Sequence, residues 1–152
     1  MRILIANSVP LIRQKIREAF SEMGYYRFFE AGCGATALEK IENGIDILIT
    51  DLRLDHVDGL EMIRIFKQTK PGVETQIIVI SHDNSRSLMD ELKALGVSYS
   101  IFLKKHADLR RLQEMLVREG RDALARTCFE FLPVRADLDL SGWADTDIFA
   151  HT

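Results

Sequence analysis

Residues Ile45–Asp51, IDILITD, decide the fold. A near-continuous apolar run of this kind predicts a strand buried on both faces, the habit of a central strand in a parallel sheet. Because a buried carboxylate is costly, the residue that ends the run, Asp51, belongs at the rim of that sheet. Upstream, Ile3–Ala6 reads as another buried strand. Pro10 then presets a helix start, and Leu11, Ile12, Ile16, Ala19, Phe20 and Met23 recur at helical spacing until Gly24. Tyr26–Glu30 predicts a second strand, and Ala35–Asn43 a short helix closed by Asn43-Gly44 with Leu38 and Ile41 inward.

Downstream, a helix after Val57-Asp58-Gly59 carries Leu60, Ile63, Ile65 and Phe66 inward and ends before Pro71. Gln76–Ser81 is a further central strand. Leu88, Leu92 and Leu95 line the next helix up to Gly96, and Tyr99–Leu103 is a fifth strand. A last helix starts near Asp108, with Leu109, Leu112, Met115 and Leu116 on one face, and its pattern extends through Gly120 to about Ala125. Five βα units with short connections predict an α/β fold, a doubly wound five-stranded parallel sheet with helices on both faces.

Composition narrows the function classes. At 152 residues the chain buries roughly two thirds of its unfolded surface, enough for one self-sufficient domain but not a second full one. A net charge of −3 with acids and bases interspersed gives no footprint for nucleic acid, and no run is apolar enough to span a membrane. Cys33 and Cys128 fit neither a disulfide framework nor a zinc module, and the four histidines have no ligand spacing, so a reduced, cytoplasmic protein is expected. Gly32-Cys33-Gly34 follows the second strand without a third glycine at dinucleotide spacing and reads as a turn. His56 with Gly59 lacks the upstream aspartate of a cobalamin site, where Leu54 stands.

Ligands of doubly wound sheets sit at the carboxyl ends of the strands. There stand Asn7 and Ser8, Asp51, Ser81 with His82, and Lys104 with Lys105. Asp51 can act as a phosphoryl acceptor, as a metal ligand or merely as a loop cap. Together with a hydroxyl at Ser81 and an ammonium after the fifth strand, it forms an anchor for a phosphoryl or carboxylate group.

The strings MRILIANSVPLIR, DILITDLRLDHVDGLEMIR, IIVIS and FLKKHADL resemble, in order over residues 1–118, the receiver domain of two-component response regulators. The resemblance implies the flavodoxin-like receiver fold, with Asp51 as phosphoacceptor, Ser81 and Lys105 as phosphate contacts and Phe102 as the aromatic switch. It also places Arg53 where a backbone carbonyl meets the metal, and it implies a histidine kinase or phosphotransfer protein as donor and a downstream protein target. Lys104 competes for the lysine role, but Lys105 keeps Phe102 three residues upstream.

The departures from that pattern cluster. Where receivers carry two acids after the first strand, this chain has Asn7 and Ser8. A magnesium site built from Asp51, the Arg53 carbonyl, Ser8 and Asn7 should be weak or absent, since that ion wants anionic oxygen ligands. Asp55 is a conceivable substitute ligand. His82 replaces a small residue, and Lys105-His106 replaces a Lys-Pro pair whose cis peptide is therefore not expected.

Residues 119–152 form a helical extension and a tail, in which CFEFLPV (Cys128–Val134) reads as an edge strand or packing segment. Residues 136–152 hold four aspartates (Asp137, Asp139, Asp145, Asp147) and no lysine or arginine. Such a tail has no helix-turn-helix and is too acidic for DNA, so its aromatic residues are expected to pack on the chain, on a dimer mate or on a partner. The leading reading is a single-domain response regulator in a phosphorelay, not an enzyme. The alternative is a phosphorylation-independent pseudo-receiver that serves as an interaction or dimerisation module.

Overall fold

The computed structural model describes residues 1–69, 74–102 and 113–123. Five strands, β1 (Arg2–Ala6), β2 (Arg27–Ala31), β3 (Ile47–Asp51), β4 (Gln76–Ser81) and β5 (Tyr99–Phe102), form one parallel sheet in the order β2-β1-β3-β4-β5. The helices are α1 (Pro10–Glu22), α2 (Gly34–Glu39), α3 (Gly59–Gln68) and α4 (Arg86–Ala94), followed after β5 by α5, described over 113–123. The strand order reverses its direction between β1 and β3, which places the ligand crevice of such a sheet over the ends of those two strands.

Alternation along the strands builds two cores. Ile3 and Ile5 of β1, Ile47 and Ile49 of β3, and Ile78 and Ile80 of β4 pack with Ile16, Ala19 and Phe20 of α1 and Leu116, Val117 and Ala123 of α5. The intervening Leu4, Ala6, Leu48, Ile77 and Val79 pack with Ala37, Met62, Ile63, Phe66 and Leu92 from α2, α3 and α4. Both faces of β1, β3 and β4 are thus dry, as the IDILITD run requires. Tyr99 Oη of β5 donates to Glu119 Oε2 of α5 at 3.0 Å, tying the edge strand to the last helix.

Several boundaries differ from the sequence reading. Ile45 is buried but precedes β3, and its carbonyl accepts from Thr75 Oγ1 at 2.8 Å instead of joining the ladder. Tyr26 is 78% exposed outside β2, with the Arg27 guanidinium 5.7 Å from its ring centre. The helix expected over 35–43 divides into α2 and a 3-10 turn at Ile41–Asn43, which tucks Ile41 into the core before Gly44 turns left-handed at φ 73°. Leu11 is 43% exposed rather than on the stripe. At about 100° per residue, its position before Ile12 rotates it away from Ile16 and Ala19.

Glycine decides one junction near the crevice. A Cβ on Gly59 would stand 2.5 Å from Leu52 Cα and 2.7 Å from the Asp51 carbonyl oxygen, so only glycine lets α3 start against the chain leaving β3. Asp58 caps that start, its side chain accepting from Leu60 N–H at 3.2 Å. Lys104, Lys105, His106, the helix start near Asp108 with Leu109 and Leu112, and the segment from Leu124 onward, including Cys128–Val134, lie outside the described residues.

Candidate functional site

Asp51 closes β3 and is half-buried. Its Oδ1 accepts from the Arg53 N–H at 3.1 Å and its Oδ2 from Asn7 Nδ2 at 3.4 Å. Asn7 follows β1 and is only 3% exposed. Its Oδ1 accepts from Val9 N–H at 2.9 Å, its backbone N–H donates to the Ala31 carbonyl at 3.0 Å, and its own carbonyl accepts from Arg13 Nη1 at 2.6 Å. Because Val9 holds the amide oxygen, only the amide hydrogens face Asp51.

Arg13 also donates through Nε to Glu30 Oε1 at 3.3 Å, while Arg17 Nη1 reaches Glu30 Oε2 at 3.0 Å. This network holds the turn after β1 from beneath, and the sequence reading did not single it out. Its signal was present: two arginines one helical turn apart on α1, and one carboxylate, Glu30, near the end of the RFFEA strand.

The opposite side of the crevice is built differently. Ser81 ends β4 and is 5% exposed; its Oγ accepts from Asp83 N–H at 3.0 Å, which leaves its hydroxyl hydrogen for another acceptor. Asp83 Oδ1 accepts from Ser85 N–H at 2.7 Å, and Ser85 Oγ caps α4 through Leu88 N–H, so the loop is fixed from Ser81 to α4. Register pairs Asp51 with Ile80 and Ser81 with Phe102, placing the hydroxyl one step beyond Asp51 on the neighbouring strand. Phe102 ends β5 with 39% of its surface exposed, and His82 is exposed beside Ser81.

The structure therefore brings together Asn7, Asp51 and Arg53. Ser81 stands on the adjacent strand end with Phe102 beyond it, and Ser8 is exposed to solvent. The donor set does not fit a divalent cation. Asn7 turns N–H rather than oxygen toward Asp51, and among the described residues no three His, Cys, Asp or Glu side chains gather to hold a metal. Asp55 forms no such cluster; its carbonyl instead accepts from Gly34 N–H at 3.2 Å and Val57 N–H at 2.8 Å. That contact bonds the loop after β3 to the start of α2, where a Cβ on Gly34 would fall 2.2 Å from the Val57 carbonyl oxygen. Next to it, Cys33 sits at the N-cap of α2, and a hydrogen bond from Thr36 lowers its thiol pKa.

The model of the response regulator receiver domain matches residues 3–117. The chain belongs to this family. Among relatives of this receiver, the chemotaxis protein CheY1 of Helicobacter pylori is 25% identical over 118 residues, covering 76% of this chain and 94% of that protein. The transcriptional regulatory protein PdtaR of Mycobacterium tuberculosis is 28% identical over 126 residues, covering 82% of this chain and 60% of that protein. The phosphorylated cyanobacterial phytochrome response regulator RcpA shares the fold, with a TM-score of 0.67 at 18% identity over 82% of this chain and 94% of that one. CheY4 of Vibrio cholerae does so with a TM-score of 0.63 at 24% identity, covering 77% and 96%. Receivers of this family work in two-component signalling with histidine kinases and downstream targets, and typically bind magnesium. Among the described residues, no helix of this receiver is long and apolar enough to cross a membrane.

Proposed function

We propose that this receiver signals without accepting phosphoryl on Asp51, as a non-enzymatic interaction module of a two-component pathway that presents its fold to a protein target or a second copy. The observation that carries this reading is the buried Asn7 amide. Its N–H group meets the Asp51 carboxylate where a receiver's acids and metal would otherwise meet it. An incoming phosphoryl group would face a carboxylate already engaged by two N–H donors, without the cation that offsets its charge.

The second reading keeps Asp51 as phosphoacceptor, with Ser81, Lys105 and Phe102 in their family roles. It is favoured by the buried Ser81 hydroxyl beside the end of β3 and by its register with Phe102. Intact-mass spectrometry after incubation with acetyl phosphate and magnesium separates the two. The first reading expects no adduct on the wild-type chain. A hydroxylamine-labile adduct that disappears in Asp51→Ala would overturn it in favour of the second.

A further inference from the structure

Arg121, in the last described turn of α5, is 7% exposed, and its Nε and Nη1 have no hydrogen-bond partner among the described residues. It follows Gly120, which lies so close to α1 that a Cβ there would meet Met23 Cε at 3.1 Å and Phe20 Cζ at 3.1 Å. Val117, one turn earlier, belongs to the core between α1 and the sheet. The guanidinium therefore stands at the margin of a dry interface, where a charge without an acceptor is expensive. The other arginines sharpen the anomaly. Arg13, Arg17 and Arg64, with side chains 19%, 52% and 44% exposed, each hold a glutamate, while the more deeply buried Arg121 holds none among the described residues.

The missing anion must come from elsewhere, and the sequence leaves few sources within the chain. Residues 70–73 contain no acid. Residues 103–112 contain one, Asp108, among Lys104, Lys105, Arg110 and Arg111. Glu130 lies between Arg126 and Arg135. Only residues 136–152 offer several carboxylates, those of Asp137, Asp139, Asp145 and Asp147, with no competing lysine or arginine. From Arg121 to Asp137 the chain can span roughly 50 Å when extended, so reach imposes no restriction.

We infer that Arg121 is the docking point for this chain's own acidic tail, with an aspartate of residues 136–152 closing an ion pair on the guanidinium at the α1–α5 junction. This docking stands apart from the chemistry of Asp51. It brings Trp143, the one tryptophan of the chain, onto the body of the receiver.

Trp143 makes the inference measurable in the full-length chain through acrylamide quenching of its fluorescence. The wild type is expected to show quenching several-fold weaker than an exposed indole. Arg121→Met, and separately the combined Asp137→Asn, Asp139→Asn, Asp145→Asn and Asp147→Asn variant, should each raise it toward the exposed value. Combining the two changes should add little, as coupled partners do. The tail variant changes none of the described residues, so it decides the matter even if Arg121→Met fails to fold. An indole already fully accessible in the wild type, or shielding that survives the tail variant, would overturn the inference. Shielding that vanishes on dilution as a dimer dissociates would overturn it too, assigning the tail to a second copy.

Discussion

The two sides of the crevice differ in how their polar groups are used. On the β1 side Asn7 engages its amide oxygen, its amide N–H, its backbone N–H and its carbonyl with partners within the protein, and Arg13 and Glu30 complete the arrangement. On the β4–β5 side Ser81 keeps a hydroxyl hydrogen to give, and Phe102 remains partly in solvent. One side is saturated and the other is open. On the reading proposed above, the engaged side is the one that has given up phosphoryl chemistry, and the open side is the one left to meet a partner.

The most severe way to break this contrast is to separate the two sides. Gly59→Ala forces a methyl against the Leu52 and Asp51 backbone, and should cost about 3 kcal/mol of stability by denaturant unfolding. Asn7→Asp attacks the saturated side alone by placing a second carboxylate beside Asp51. A loss of roughly 1–3 kcal/mol is expected in EDTA, partly recovered in magnesium, whereas the wild-type melting temperature should ignore the metal. The sign with pH follows: like charges raise the folded pKa of the pair, so this variant loses stability as pH rises through the carboxylate range. A wild-type melting temperature that climbs with magnesium would erase the contrast.

Arg13→Met removes a donor from both Asn7 and Glu30 and should cost roughly 1–2 kcal/mol, while Arg17→Met, at a more exposed position, should cost less than about 1 kcal/mol. Equal losses would mean that the network does not support the crevice. The smallest effect lies away from the site. Lys67 Nζ donates to the Thr75 carbonyl at 2.8 Å, and burial lowers its pKa. Stability should therefore rise slightly with pH between that lowered value and the ordinary lysine range, and Lys67→Met should flatten the slope. The opposite sign of this slope separates it from the response of Asn7→Asp.

Much of the sheet was legible because its strands are apolar on both faces: Gln76–Ser81 emerged with the bounds read from its residues, and IDILITD lost only its first two to the approach. Boundaries slipped where tertiary contacts overrode local pattern, as at Ile45, held by Thr75, and at Leu11, turned away from its stripe. In the site, the substitutions at Asn7 and Ser8 were visible, but the direction of the Asn7 amide was not. That direction depends on Val9 N–H capturing the oxygen, a contact two residues away that spacing cannot orient. The Arg13–Glu30 pair left a sequence signal in its charges, but no local spacing links a helix residue to a strand residue 17 positions later.

The close fit of Gly34 beneath the Val57 carbonyl has a consequence for the lengths that this chain can tolerate. The loop from Leu52 to Asp58 and the entry to α2 are interlocked by backbone atoms, so neither can gain or lose a residue without unseating the other. Around Tyr25 and Tyr26 a left-handed glycine and an exposed ring mark a connection with room for extra residues. Insertions and tags belong there, while the 52–58 loop should keep its length wherever this architecture is borrowed.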